Sequence, residues 1–510
     1  MLSKISEFFR VIGELKYIIP LLRYKFPDPD DNESLAHTFE RTVSKFGLRN
    51  FIYFEEETWT YSEVNQQANI LAKKLLDDGV SHGDRVILFM ENRPDFVISI
   101  IALNKIGAIG VLINTSLTGK PLIHCINSSD SKKCIVGAEL ADPLEEVLSE
   151  INIADKTDIY WVADGNKYRC PDWSLDLKNT LDNSSEIQVT ISDKVTAKDT
   201  AFYIFTSGTT GVPKAALFPN SKIIAASVNI VKGGYRLNEK DCMYNCLPLY
   251  HSTGLMLGLC ACIQAGAATF IRRKFSASMF WEEAKKFNTT AFVYVGELCR
   301  YLSFQDPTDN EQNNPISKMV GNGLRPDLWD CFRNRFNVNR IIEIYGASEG
   351  NALFMNLLNK DQTIGMTNAK VGVFEYDVAE DKLVKDSNDK YVEVEKNQPG
   401  LLLVEIGPNA VYNGYTDKKA SEEKVIHDVM VEGDRWFNTG DLVKTMDVGF
   451  SLGRTHYQFV DRVGDTFRWK SENVSTNEVA EILNGYDQVN MANVYGVKVA
   501  NSEGLSLIHI

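Results

Sequence analysis

Residues 60–113 constrain the fold more than any other stretch, because helical and strand periodicities alternate there without a break. Thr60 and Glu63 in "TYSE" stand at capping-box spacing, and Val64, Ala68, Leu71, Ala72 and Leu75 then recur on one helical face that ends at Gly79. "RVILFM" follows as a strand-like run, "DFVISIIALNKIG" as a helix and "AIGVLIN" as a second strand. Strands joined through a helix need a crossover, so the pattern predicts an α/β fold built on mainly parallel sheet. Further short apolar runs, "IYWVA", "AFYIF", "AATFI", "AFVYV" and "RIIEIYG", alternate with helical patterns over 223–231, 254–264 and 276–287. From Gly400 onward, "GLLLVEI" and "YQFVDR" read as strands of a less helical, β-rich part, beyond polar loops at 304–315 and 380–399.

The net charge of -14 over 510 residues argues against a general nucleic-acid binder, which needs a basic surface. Nine cysteines, an odd number without framework spacing, read as reduced thiols of a cytosol-facing chain. The apolar stretch 96–113 is interrupted by Asn104, Lys105 and Gly107 where a helix would hand over to a strand, so it reads as core. The N-terminus, "MLSKISEFFRVIGELKYIIPLLRYKFPDPDD", lacks an uncharged run near the ~20 residues that a membrane span needs, and Pro20 interrupts it. Ile5, Phe8, Phe9, Ile12, Leu15 and Ile19 recur at helical spacing among Lys4, Arg10, Lys16, Arg23 and Lys25. Such a helix either lies in a membrane interface or packs its stripe on the protein's own body.

The stretch 203–217, "YIFTSGTTGVPKAAL", is the densest chemical signal. Thr206, Ser207, Thr209 and Thr210 supply hydroxyls, Gly208 and Gly211 free the backbone, and Lys214 adds a positive charge. All stand at the end of an apolar strand, where open α/β sheets collect ligands. Glycines permit close approach to an anion and hydroxyls donate hydrogen bonds, so a polyphosphate fits. "GTTGVPKA" lacks the spacing of a Walker A loop, and a Ser/Thr/Gly-rich turn is the plainer alternative.

Five more motifs follow in order: "PLYHSTGL" (248–255), "GNGLRPDLW" (321–329), "YGASEGN" (345–351), "FNTGDLV" (437–443) and "DRVGDTFRWKSENVSTNEVAEIL" (461–483). With the hydroxyl-rich loop they resemble the adenylate-forming, or AMP-binding, enzyme superfamily. The last motif, "GNGLRPDLW" and "KFSASMFWEEAKKFNTTAFVYVGELCRYL" resemble one branch of it, the fatty acid transport protein and very-long-chain acyl-CoA synthetase family. The match runs from Trp59 to Val499. It implies a large AMP-binding domain over 31–460, with mainly parallel sheets, helices and a β-rich subdomain. An amphipathic, membrane-associated segment precedes it over 1–30, and the start of a small α+β domain follows over 461–510.

The implied activity is ligation of long and very long fatty acids to CoA, driven by ATP with Mg²⁺ and coupled to fatty acid uptake. The resemblance assigns Thr206, Ser207, Gly208, Thr209, Thr210, Gly211 and Lys214 to the β- and γ-phosphates of ATP, and Glu349 with Thr206 to Mg²⁺. Gly321, Asn322 and Gly323 would line the adenine pocket. Tyr345 would stack on the base, at the head of a strip continuing through Gly346, Ala347 and Ser348 to Glu349. Asp441 would accept from the ribose hydroxyls and Arg462 would reach the same sugar. His251 would stand at the fatty acyl entrance, Gly464 at the hinge, and Lys470 in the segment that faces CoA. Thr206, Lys214, His251 and Glu349 are the implied catalytic set. Taken singly, His251 also reads as a core histidine, Asp441 as a turn cap after Asn438 and Thr439, and Glu349 as a solvated loop charge.

Ser348 replaces the family's usual threonine and keeps its hydroxyl. After "VYGVKVANSEG" the pattern stops and "GLSLIHI" is foreign to it. The family continues into a mobile domain whose distal lysine contacts the reacting carboxylate, so the chain is expected to be a truncated form, weak in both half-reactions. The rival functions are a non-catalytic fatty acid transport or binding protein at a membrane, and another adenylate-former such as a peptide-synthetase module. The expected location is a cytosol-facing membrane surface: endoplasmic reticulum, peroxisome, lipid droplet or plasma membrane.

Overall fold

The parallel sheet predicted from the alternating pattern occurs twice. The computed structural model describes residues 2–510 except 154, 166, 182–186, 208–212, 347–349, 378–379, 409, 464–465, 470–471, 476–478, 480–482, 484–493, 495, 499–504 and 508–510. Within the described residues, one sheet has seven strands in the order Leu175–Asp176, Ile159–Val162, Lys133–Gly137, Arg85–Phe89, Ile109–Leu112, Thr200–Ser207 and Pro213–Pro219. Its neighbours are parallel except for the last pair, an antiparallel hairpin. The other has eight, ordered Phe354–Met355, Arg340–Tyr345, Lys318–Asn322, Ala291–Val295, Cys242–Asn245, Ala268–Ile271, Asn50–Phe54 and Glu57–Thr60, parallel except at its two outermost pairs. A third, antiparallel sheet takes Val371–Phe374, Gly400–Glu405, Arg435–Met446, Val425–His427 and His456–Arg462, which is the β-rich part expected after Gly400.

Helices fill the space between the two large sheets. Val86 and Leu88 of one sheet and Ile52, Met243 and Val293 of the other share a single buried cluster with Leu71, Phe96 and Ile100 of the helices. The capping box at Thr60 and Glu63 is formed and starts the helix Tyr61–Asp77. Pro94–Ile106 begins with proline in its first turn and ends at Gly107, whose φ of 72° the left-handed cap requires. Nearly all of its residues are buried, because a helix covered on every side needs no polar face. Lys105 is the costly exception: fully buried, it pairs with Glu40, and desolvation lowers its pKa. The stretch 96–113 is therefore core, as read from the sequence, and no helix among the described residues is long and apolar enough to cross a membrane.

Several elements differ from the expected pattern. The helix at 223–231 starts earlier, as Asn220–Asn229, and passes into a π-helical turn, Ile230–Tyr235. The pattern at 254–264 is a π-helical segment, Thr253–Cys260, followed by Ala261–Ala265. Helix 276–287 is shorter, Phe280–Lys286.

The N-terminal helix, Leu2–Leu22, uses both of its faces. Val11, Ile18 and Leu21 are buried against Leu357, Leu358, Ile224 and Val228. Glu14, 7% exposed, pairs with Arg236 and lies 3.1 Å from a guanidinium nitrogen of Arg340. Burial drops the Arg340 pKa to about 10, while the Gly233 and Gly234 carbonyls accept from the same guanidinium. Glu7 pairs inward with Arg10 and Lys360. Ile5, Phe8, Phe9, Ile12, Ile19 and Leu22 are exposed, so most of the stripe singled out in the sequence faces outward rather than onto the body.

Candidate active site

The two strands of the terminal hairpin bring the first site residues together. Its register sets Thr206 opposite Lys214, so their side chains share one face at the mouth of the loop. Both line a cavity of about 2000 Å³. Thr206 Oγ1 is buried and has no hydrogen-bond partner among the described residues, an arrangement that costs free energy until an outside group satisfies it. Lys214 Nζ lies 5.9 Å from the centre of the Tyr415 ring. Gly208, Thr209, Thr210 and Gly211 lie outside the described residues, as do Ala347, Ser348, Glu349 and Lys470. Ser207 belongs to the first hairpin strand.

Tyr345, Asp441 and Arg462 reach the same cavity from three strands. Asp441 and Arg462 are direct partners in the antiparallel ladder, with Arg462 Nε 3.6 Å from Asp441 Oδ1. Tyr345 ends the strand Arg340–Tyr345, and its hydroxyl donates to Asp441 Oδ2 at 2.5 Å. Burial, then the Asp441 charge, raises the phenol pKa well above its ordinary value, so the hydroxyl remains a donor at neutral pH. A tight turn aims Asp441: the Gly440 amide donates to Asn438 Oδ1 at 2.9 Å, and the Asp441 amide donates to Thr439 Oγ1 at 3.1 Å. Asn438 and Thr439 thus form the turn, while the Asp441 side chain faces the cavity.

Asn322, Gly323 and Gly346 line the same cavity. Gly323 has φ +78°, in the left-handed region that favours glycine. Gly321 lies in the sheet behind it, where an added Cβ would come within 2.1 Å of the Tyr294 carbonyl. The loop is held by Glu343, which accepts from the Gly323 amide at 3.0 Å, the Leu324 amide at 2.9 Å and the Tyr294 hydroxyl at 2.5 Å. Burial pushes the Glu343 carboxyl up to about 7 despite those donors. Glu343 was not among the candidates, although a lone acid inside the apolar run "RIIEIYG" was its signal.

His251 is exposed into the cavity rather than packed as a core histidine. The surrounding protein lowers its pKa by desolvation. The apolar side chains of Phe218, Ile230, Met256, Leu257 and Phe26 line the same cavity. Ile230, Met256 and Leu257 belong to the π-helical segments, a geometry frequent at functional sites.

Two mainly parallel sheets and a smaller antiparallel one, with this polar cluster drawn from strands of all three, have the architecture of an adenylate-forming enzyme fold. The chain belongs to the AMP-binding enzyme family, whose model matches residues 39–416. It is 36% identical over 509 residues to long-chain fatty acid transport protein 6 of Mus musculus, which covers 98% of this chain and 80% of that protein. It is likewise 36% identical to medium/long-chain-fatty-acid–CoA ligase FadD6 of Mycobacterium tuberculosis, over 93% of this chain and 76% of that one. The anthranilate CoA ligase AuaEII, solved with anthranoyl-AMP, shares the fold at a TM-score of 0.75 and 18% identity, over 94% of this chain and 86% of its own. The long-chain-fatty-acid–CoA ligase FadD1 from Archaeoglobus fulgidus does so at 0.68 and 20% identity, over 93% and 90%.

Proposed function

We propose that the protein is an ATP-dependent long-chain fatty acid:CoA ligase. One observation carries this reading: a single cavity is lined both by the polar cluster of Thr206, Lys214, Tyr345, Asp441 and Arg462 and by the apolar side chains of Phe26, Phe218, Ile230, Met256 and Leu257. ATP occupies the polar end, with its ribose on Asp441 and Arg462, its adenine beside Gly323 and Tyr345, and its outer phosphates at Thr206 and Lys214. The fatty acid lies against those apolar side chains with its carboxylate toward the α-phosphate. The carboxylate oxygen attacks phosphorus and pyrophosphate leaves; the CoA thiol then displaces AMP from the acyl-adenylate. Thr206 and Glu349 would hold Mg²⁺, which would offset charge on the phosphates. The buried Thr206 hydroxyl, which has no partner among the described residues, supports that assignment. The protein's own contribution is positioning and fixed charge.

The N-terminal helix belongs to this reading as a membrane contact. Its acids point inward in ion pairs, while its exposed apolar stripe is flanked by exposed Lys16, Arg23 and Lys25, a surface complementary to anionic lipid. Phe450 packs against Phe8 at 5.7 Å and extends the patch. Phe26, just beyond this helix, lines the cavity.

The test offers ATP, Mg²⁺ and hexadecanoate with hydroxylamine as a trap. ATP-dependent hexadecanoyl hydroxamate supports the reading even at low turnover. Hydroxamate from amino acids but not from fatty acids would favour the peptide-synthetase class and overturn it. Fatty acid uptake that survives Lys214→Ala while hydroxamate formation is lost would favour a non-catalytic transporter.

A further inference from the structure

Among the cations that line the cavity without a role in the reading above, namely Lys222, Arg325, Lys382, Lys385 and Lys424, Lys222 alone stands in the helix that follows the strand of Lys214. Lys222 follows the strand Pro213–Pro219 directly, in the first turn of the helix Asn220–Asn229. Its Nζ lies 3.4 Å from the Gly350 carbonyl, one residue beyond the "YGASE" strip, and 4.6 Å from the centre of the Phe218 ring. From Lys222 the same face of the helix continues along the cavity through Ala225, Ala226 and Asn229. The opposite face, Ile224 and Val228, is buried against Leu21 of the N-terminal helix. Asn229 donates its amide to the Ala225 carbonyl at 2.7 Å, so it meets part of its hydrogen-bonding need within the helix.

We infer that Lys222 binds the carboxylate of the fatty acid and that the helix behind it is the track for the first part of the acyl chain. The inference rests on the ligase reading and adds to it the group that recognises the acid end of the substrate. A carboxylate leaving water for a partly apolar cavity needs a cation with which to pair. The small side chains at Ala225 and Ala226 leave room for methylenes beside the helix. From Lys222 to Asn229 the helix rises about 10 Å, and an extended alkyl chain can lie along that length. Lys214 stands at the other end of the strand Pro213–Pro219, which separates a phosphate-end cation from an acid-end cation.

The test is binding of dodecanoate and of dodecanol to the full 510-residue chain by displacement of a fluorescent fatty acid. Lys222→Ala is expected to weaken dodecanoate binding about 10- to 100-fold, to leave dodecanol and ATP unchanged, and to be largely rescued by Lys222→Arg. A parallel loss for dodecanol would make Lys222 a packing residue and overturn the inference. So would a loss for ATP alone, which would place the cation at the phosphates. Ala225→Phe is expected to weaken octanoate and hexadecanoate alike, because both chains pass that position, and to leave ATP unchanged; undiminished binding of both acids would remove the track. Wild-type protein that binds neither dodecanoate nor an acyl-adenylate mimic would overturn the ligase reading and this inference together. Binding of both ligands by wild type and by Lys222→Ala alike would overturn only the role of Lys222.

Discussion

Asp441→Asn isolates the ribose contact while keeping the side chain's shape. Asp441 is 11% exposed, accepts from the Tyr345 hydroxyl at 2.5 Å and stands 3.6 Å from Arg462 Nε. Asparagine removes the charge and replaces one acceptor oxygen with a donor, which then opposes either the Tyr345 hydroxyl or Arg462. A hydrogen bond to a charged acceptor contributes about 1.5–3 kcal/mol, so the Kd for ATP should rise about 10- to 150-fold. Titration calorimetry with ATP reads this without turnover. ATP lacking a ribose hydroxyl supplies the cross-check: wild type should lose a similar factor with the deoxy nucleotide, and Asp441→Asn should lose little more, because both changes delete the same contact. Independent, multiplying losses would refute the ribose assignment, as would an equal loss of dodecanoate affinity.

Three further outcomes follow from other parts of the structure. Glu14→Ala strands the nearly buried Arg340 beside Arg236, and should destabilise the fold by about 3 kcal/mol, the low end for a broken buried pair because two carbonyls still accept from Arg340; denaturant unfolding checks it, and a change under about 1 kcal/mol would contradict a structural role for the Glu14–Arg340 pair. Glu343, raised from 4.5 to about 7, favours the folded state through its neutral form, so its contribution is full below about pH 4.5 and lost as pH rises through about 7. Glu343→Gln should flatten the fall in stability across that window, measured by urea unfolding at several pH values; an unchanged slope would assign the titration elsewhere. Replacing exposed Phe9 and Leu22 by aspartate should abolish co-sedimentation with anionic vesicles while the melting temperature holds; retained binding would move the membrane contact off this face.

The legible parts of the sequence were those governed by local rules. The capping box at Thr60, the helix-to-strand handover at Asn104 to Gly107 and the apolar strand runs depend on neighbours in the chain, and all formed as read. The π-helical segments were not legible, because their apolar residues also satisfy an α-helical pattern. Motif order named Thr206, Lys214, Tyr345, Asp441 and Arg462, and the cavity collects them from distant strands. It did not reveal that Asp441 and Arg462 are ladder partners, since register is set by pairing across the sheet. Lys222 was missed for a different reason: a lysine in the first turn of a helix looks like an ordinary solvated charge until the fold places a cavity beside it. The outward orientation of Phe9 and Ile12 likewise required knowing that Val11, Glu14 and Ile18 occupy the other face.

The central claim is that one site holds an adenylate and a fatty acyl chain together. Its most direct measurement is calorimetric binding of hexadecanoyl sulfamoyladenosine, an unreactive mimic of the acyl-adenylate. The mimic should bind more tightly than ATP or hexadecanoate alone, compete with both, and lose affinity in Asp441→Asn. Binding that is no tighter than that of adenosine, or that ATP does not displace, would contradict the account.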